Sequence, residues 1–421
     1  MPPASYLPRV VDAELAELLR AHGAVVVEGP KACGKTATAR RQARSEVLLD
    51  VDANAAQAAA IDPGLILPGE RPRLIDEWQL QTAVWNHVRR VVDAEHEPGL
   101  FILTGSAVPS DDATRHTGAG RFGRLRMRPM TLFESGVGSG QVSLARLLDG
   151  ESTQAPDVGI GVPDLAEELV RGGWPGFRRL ELPAATRAVR DYLEQIRRTD
   201  ISAVDGVRRD PERVRLVLQS VARNTATQAT LTSIAKDTAA AGARMKDDTV
   251  AEYLLALTRL MVIEDQPAWT PHLRSSHRLR STPTRHFVDP SLAAAALRAT
   301  PQTLLADLNT LGLLFESLAI RDLRVHAQAS DAEIAHYRDS GGLEVDAIVS
   351  ADDGRWAAFE VKLGSSAEVL DEAARNLRTF AERVDTDTRG EPAALGVVVG
   401  SGYGYVRPDG IHVIPIAALT S

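Results

Sequence analysis

One cysteine in 421 residues, Cys33, excludes an internal disulfide framework and with it the small stapled folds of oxidising compartments. Lysine is nearly as scarce, with five residues (Lys31, Lys35, Lys236, Lys246 and Lys362) among 48 basic side chains. No window approaches the roughly 18 uninterrupted apolar residues of a membrane span. The N-terminal MPPASYLPRVV lacks the charged-then-apolar order of a signal peptide. There is no internal repeat and no low-complexity tract. A cytoplasmic protein without a membrane partner is expected.

Hydrophobic residues make up 44% and charged residues 25%, an ordinary globular balance that leaves little room for long disorder. The chain is too long for one core, so two or three domains are expected. The net charge of −8 is uneven: residues 301–421 carry 10 basic against 19 acidic side chains, a balance of −9. That acidity argues against a grip on nucleic acid by bulk charge alone. Where lysine appears despite the general preference for arginine, a need for a compact ammonium is one reason. Two of the five lie in a glycine-rich loop and one in Glu360-Val-Lys362.

The run AVVV at 24–27 reads as a buried strand, followed by a glycine loop and the helical TATARRQARSE. Further apolar strands at 47–51, 73–76 and 100–105 alternate with helical stretches, which indicates a parallel α/β sheet. Residues 136–161 read as a loop or insertion. Residues 185–265 are mostly helical, and a last segment from about 300 reads helix, strand, strand, helix, strand.

Gly29-Pro-Lys-Ala-Cys-Gly34-Lys35-Thr36 matches GxxxxGK[ST] between a strand and a helix, the context that gives this motif its meaning. Its amides would wrap phosphate oxygens, with Lys31 and Lys35 supplying charge. Lys35 would reach the β- and γ-phosphates of ATP, and the Thr36 hydroxyl would ligate Mg²⁺. Asp76, ending the strand RLID, would hold the same ion, and Glu77 beside it would polarise the attacking water. Thr104 and Ser106 end the next strand, where a hydroxyl could sense the γ-phosphate; a plain Ser/Thr turn is the alternative. Cys33 should be passive but partly exposed when nucleotide is absent. Arg121 and Arg124 follow a glycine-rich stretch, and Arg124, Arg126 and Arg128 alternate with Leu125 and Met127, a strand with one cationic face. Such an arginine could act as a finger on the γ-phosphate, or simply form a solvated face.

The segments GPKACGKT, LIDEWQ, ILTGSA, GAGRFGRLRMRPMTLFE and LVRGGWPGF together resemble the bacterial and archaeal AAA-type ATPases that carry a C-terminal domain related to PD-(D/E)XK nucleases. The resemblance spans nearly the whole chain. It implies that Arg121 is the finger, acting from a neighbouring copy in a homo-oligomer, and that Arg171 is a second sensor. It implies an AAA-type ATPase domain at 1–180, a helical winged-helix region at 181–300 and a nuclease-like α/β domain at 301–421.

Within that last segment, LEVDAIVS and WAAFEVK flank Asp352-Asp353-Gly354 and read as a hairpin with a three-residue loop. That loop sets Asp346 opposite Glu360 and Glu344 opposite Lys362, with all four on one face. Two carboxylates and a lysine would suit phosphodiester hydrolysis with a second divalent metal; an ion-paired, solvent-facing hairpin is the alternative. The family resemblance adds Glu316, on the helix TLGLLFESLAIRDL, as a further acidic ligand. No clear Gln or Tyr on the following helix completes a nuclease motif, which leaves room for an inactive domain.

The middle segment LTSIAKDTAAAGARMKDDTVAEYLLALTRLMVIE has the form of a winged helix, with Thr249–Leu257 as second helix and the acid-free stretch 266–288 as wing. Residues 190–300 carry 17 basic and 13 acidic side chains, compatible with DNA or RNA contact and equally with a protein connector. The expected function is ATP hydrolysis coupled to nucleic-acid processing through a metal-dependent nuclease-like domain. The alternatives are a nucleotide-driven switch that binds a protein partner, with the C-terminal domain inert, and transient DNA binding without cleavage.

Overall fold

The computed structural model describes residues 6–105, 118–270 and 282–421. The chain forms two compact units: Met1–Pro129 with Thr199–Arg208 and Ala256–Met261, and Met130–Arg198 with Arg209–Leu255 and Val262–Ser421.

The first unit is built on five parallel strands, β1 (Ala24–Glu28), β2 (Ser45–Leu48), β3 (Arg73–Asp76), β4 (Phe101–Gly105) and β5 (Phe122–Arg126), in the order β2-β3-β4-β1-β5. Helices α1 (Val11–Ala21), α2 (Lys35–Arg40), α3 (Ala53–Ile61) and α4 (Val84–Glu95) connect and flank them. β1 is buried on both faces, which is why it reads as an uninterrupted apolar run. Its side chains alternate between two cores. Val25 and Val27 join Val11, Leu15 and Leu19 of α1, whereas Ala24 and Val26 join Trp85, Val88 and Val92 of α4. Because β1 lies between β4 and β5, the chain order reverses beside it, and a crevice opens at the carboxyl ends of the strands.

The second unit contains a six-stranded mixed sheet in the order β13-β14-β12-β11-β10-β9. Three short strands come earlier in the chain: β6 (Val142–Ser143), and the antiparallel pair β7 (Ile263–Gln266) and β8 (Thr284–Phe287). The sheet comprises β9 (Ala332–Arg338), β10 (Glu344–Ala351), β11 (Trp356–Lys362), β12 (Ala394–Val399), β13 (Tyr405–Val406) and β14 (His412–Pro415); β15 (Leu419–Thr420) pairs with β6. The long helix Leu308–Gln328 packs on β9 to β11. Helix Ala367–Ala381 covers a core of Ile348, Trp356, Ala358, Val397 and Val399 with Leu370, Leu377 and Phe380. The helices Pro211–Arg223, Leu231–Ala240 and Asp247–Arg259 precede the β7–β8 pair, so the order helix, turn, helix, strand pair is present. Arg274, Arg278 and Arg280 of the expected wing lie outside the described residues. Arg285 is engaged by Asp265 at 3.2 Å and by the Ala229 carbonyl at 3.0 Å.

Candidate functional site: the P-loop and the C-terminal acid–lysine cluster

The glycine loop stands at the carboxyl end of β1 and runs directly into α2. Gly34 takes φ of 106°, a left-handed turn that starts the helix at Lys35. At Gly29 a side chain would be blocked, since a Cβ would lie 2.5 Å from the Met127 carbonyl. The buried Lys35 ammonium bonds the Gly29 and Pro30 carbonyls at 3.0 and 2.9 Å, so it is held inside the loop that phosphates would fill. Cys33, expected to be partly exposed, is fully buried against the core of α1, because the loop turns it inward toward Gly29. Lys31 points outward and pairs with Asp200 at 2.8 Å.

The register β3–β4–β1 brings Asp76 beside Thr104, and Thr104 beside Val27. The Thr104 hydroxyl donates to Asp76, and the Thr36 hydroxyl reaches the same carboxylate at 3.0 and 3.2 Å. A carboxylate and a hydroxyl meeting beside the loop form a hard-oxygen pair of the kind Mg²⁺ takes with phosphate oxygens. Thr36 and Asp76 are therefore the residues that would hold it, where it would neutralise phosphate charge. Glu77 follows in a left-handed conformation, φ 53° and ψ 43°, which costs an L-residue about 1–2 kcal/mol. The Gln79 amide donates to its carboxylate. Ser106 lies outside the described residues.

Arg121 sits at the amino end of β5: its carbonyl accepts from the Ala24 amide at 3.2 Å, at the opposite end of β1 from the loop. Its guanidinium bonds Asp93 of α4 at 2.8 Å and the Ala119 carbonyl at 3.0 Å. Four strand residues at ~3.3 Å each separate the two ends, so Arg121 cannot serve the loop of its own chain. Further along β5, Arg124 and Arg126 do alternate with buried Leu125; Arg124 pairs with Glu28 and lies 5.9 Å from the Trp85 ring. Arg171, in the second unit, bonds the Leu180 carbonyl at 2.6 Å and Glu168 at 3.5 Å.

In the C-terminal sheet the hairpin has the register that its loop implies, Ala347 opposite Phe359 and Ser350 opposite Trp356, with Gly354 left-handed at φ 95°. On its other side β10 breaks register with β9 between Val345 and Ile348, the stretch that carries Asp346. Asp346 accepts from the Val361 amide at 2.8 Å, and the Lys362 ammonium lies 2.6 Å from Glu360 and 3.5 Å from Asp346. Burial, then the Asp346 charge, pushes the Glu360 carboxyl up to about 7 despite Lys362. Burial and Asp346 likewise push Glu316 well up. Burial works against the charge on Lys362, but Asp346 and Glu360 outweigh it and raise the ammonium. Glu316, Glu344 and Asp346 line one cavity of about 290 Å³. Glu344 does not face Lys362 as expected; it pairs across the strands with Arg338 at 2.8 Å. Among the described residues, no group of three or more His, Cys, Asp or Glu side chains is arranged to hold a metal ion.

Residues 21–135 match the family described as AAA domain. The chain carries an AAA-type P-loop ATPase domain. Its activity is ATP hydrolysis. Two further families, both described as domains of unknown function, match residues 162–303 and 311–419. No curated protein matches the chain. Among solved structures, the Walker-type ATPase paby2304 of Pyrococcus abyssi is 14% identical over 68% of this chain and 94% of that one, with a TM-score of 0.41. The Aeropyrum pernix Orc1 protein in complex with DNA is 15% identical over 73% and 95%, with a TM-score of 0.26. At those scores nothing about this chain follows from either. Among the described residues no helix is long and apolar enough to cross a membrane.

Sequence reasoning missed the brace behind the ATPase loop. Buried Arg9 donates to the Cys33 carbonyl and to the Arg128 carbonyl, each at 2.7 Å, and Tyr6 bridges Asp12 and Thr38. A lone arginine in an aperiodic segment carries no pattern that could have flagged it. The motif LVRGGWPGF also has a packing role. Gly173 lies against Met130, where a Cβ would be 2.1 Å from the carbonyl, and buried Trp174 bonds Ser291 at 3.0 Å.

Proposed function

We propose that ATP binding and hydrolysis drive a conformational switch that engages a protein partner, with the C-terminal domain retaining a nuclease-like fold without nuclease activity. The observation that carries this reading is the engagement of Lys362 by both Glu360 and Asp346, which ties both acids to one ammonium where a metal site needs free donors. The middle region supports it: helix Asp247–Arg259 exposes Asp247, Asp248 and Glu252 and a 53% exposed Leu255, a surface that repels phosphate and suits protein contact. The three-part division at residues 180 and 300, and a homo-oligomer with Arg121 acting on a neighbour's ATP, belong to the same proposal. The convergence of Glu316, Asp346, Glu360 and Lys362 favours a second reading, metal-dependent phosphodiester hydrolysis coupled to ATP turnover.

One set of assays separates the two. ATP turnover should disappear in Lys35→Ala, and in Glu77→Gln should fall about 10²- to 10⁴-fold with binding retained. Neither DNA nor RNA should be cleaved in Mn²⁺. Mn²⁺-dependent cleavage by the purified protein that is lost in Asp346→Ala would overturn the inert-domain reading and establish the second.

A further inference from the structure

In the second unit, helices Leu182–Gln195, Pro211–Arg223 and Pro290–Leu297 enclose a cavity of about 240 Å³. Its floor is apolar, from Leu193, Leu218 and Ala296, and its rim carries Arg190, Arg197, Arg215 and Arg298. Two of these arginines are committed: Arg197 to Glu194 at 2.6 Å, and Arg215 to Glu212 at 2.9 Å and Gln219 at 2.7 Å. Arg190 and Arg298 have no acidic, hydrogen-bonding or aromatic partner for their guanidinium groups among the described residues. Four guanidinium groups with one lining acid, Glu194, make a local cationic excess in a chain of net charge −8. The two exposed guanidinium groups left without a partner among the described residues, Arg190 and Arg298, give the concavity a positive potential that an entering anion would meet.

The backbone is irregular at two rim positions. The chain leaves helix Leu182–Gln195 through a π turn at Ile196–Asp200, which includes Arg197. Such turns concentrate at functional sites. Arg298 ends its helix in a left-handed conformation, φ 55° and ψ 31°, unfavourable for a side-chain-bearing residue. Guanidinium forks match phosphate oxygens in pairs, and an apolar floor of this size takes one ring or a short alkyl body but no macromolecular groove.

We propose that this cavity is a binding site for a small organic phosphate, its phosphoryl group held by Arg190 and Arg298 and its apolar body seated on Leu193, Leu218 and Ala296. The probe is phenyl phosphate, titrated calorimetrically into the full chain with the P-loop saturated by ADP and Mg²⁺. One saturable site is expected, with inorganic phosphate weaker. Arg190→Ala and Arg298→Ala should each weaken it about tenfold or more, as loss of a charge-assisted contact does. Arg187→Ala, an exposed arginine on the same helix that does not line the cavity, should leave it within twofold. Circular dichroism and urea unfolding of each variant separate a lost site from a lost fold. No saturable binding at millimolar probe, or binding that survives the Arg190→Ala/Arg298→Ala double variant, would overturn the proposal.

Discussion

Replacing Glu360 by Gln tests whether the C-terminal acids are a burden the fold carries. The residue is 2% exposed, and its carboxyl lies at about 7 against an ordinary 4.5. For a carboxyl raised on folding, the folded state holds the proton more tightly. The penalty is therefore absent below the unfolded value, grows from about pH 4.5 to about pH 7, and is complete above that. At 1.36 kcal/mol per unit, the charged form costs about 3 kcal/mol in the folded state, and glutamine mimics the uncharged form. Glu360→Gln should thus stabilise the protein by up to about 3 kcal/mol at pH 8, with the gain gone by pH 4. Urea unfolding followed by tryptophan fluorescence is suitable, because Trp269 and Trp356 lie in the same buried core. Adding Mn²⁺ at pH 8 gives a second arm. A metal that binds the native acids at a hundredfold excess over its Kd would stabilise the unaltered protein by about 2.7 kcal/mol, whereas an inert domain shows no shift. A variant less stable than the parent at pH 8, or a gain that persists on acidification, would refute the electrostatic reasoning.

The nucleotide site was legible because its signals are local. A strand, a glycine turn and a helix in immediate succession fix where Gly29 to Thr36 must stand, and the period-two pattern of β10 and β11 fixed the hairpin register from its loop alone. What escaped has no local signal. The register break at Asp346 lies in the pairing with β9 and is not set by the Asp352-Asp353-Gly354 loop, and it accompanies the pairing of Glu344 with Arg338 where Lys362 was expected. Cys33 was misjudged for a related reason: loop residues are usually exposed, but this loop is pinned from behind by Arg9, whose role only the tertiary structure reveals. Gly173 likewise has no local signal, since what requires glycine there is the close approach of the Met130 carbonyl.

Arg121→Ala should lower ATP turnover by about 10³-fold or more while leaving nucleotide affinity near normal, because the arginine is remote from its own loop. Mixing it with Glu77→Gln protein should restore part of the turnover; a monomer by light scattering, with and without ATP, would defeat the idea. Arg321→Met concerns the buried charges of the second unit. Arg321 bonds Asp289 at 2.7 Å and Asp322 at 2.6 Å, with all three side chains 3% exposed or less. Asp289 also accepts the Gly173 amide at 2.9 Å, and Asp322 the Leu132 amide at 3.0 Å, so the triad fastens two motif segments to the core. Removing the guanidinium leaves two carboxylates buried with amide donors alone, which should cost about 3–5 kcal/mol. Asp289→Asn and Asp322→Asn added to Arg321→Met should recover part of that loss, since neutral amides need no counter-charge. Urea unfolding of the three proteins decides it. A single variant within about 1 kcal/mol of the parent would mean that the backbone amides alone hold these carboxylates, and that the two motif segments owe their positions to packing.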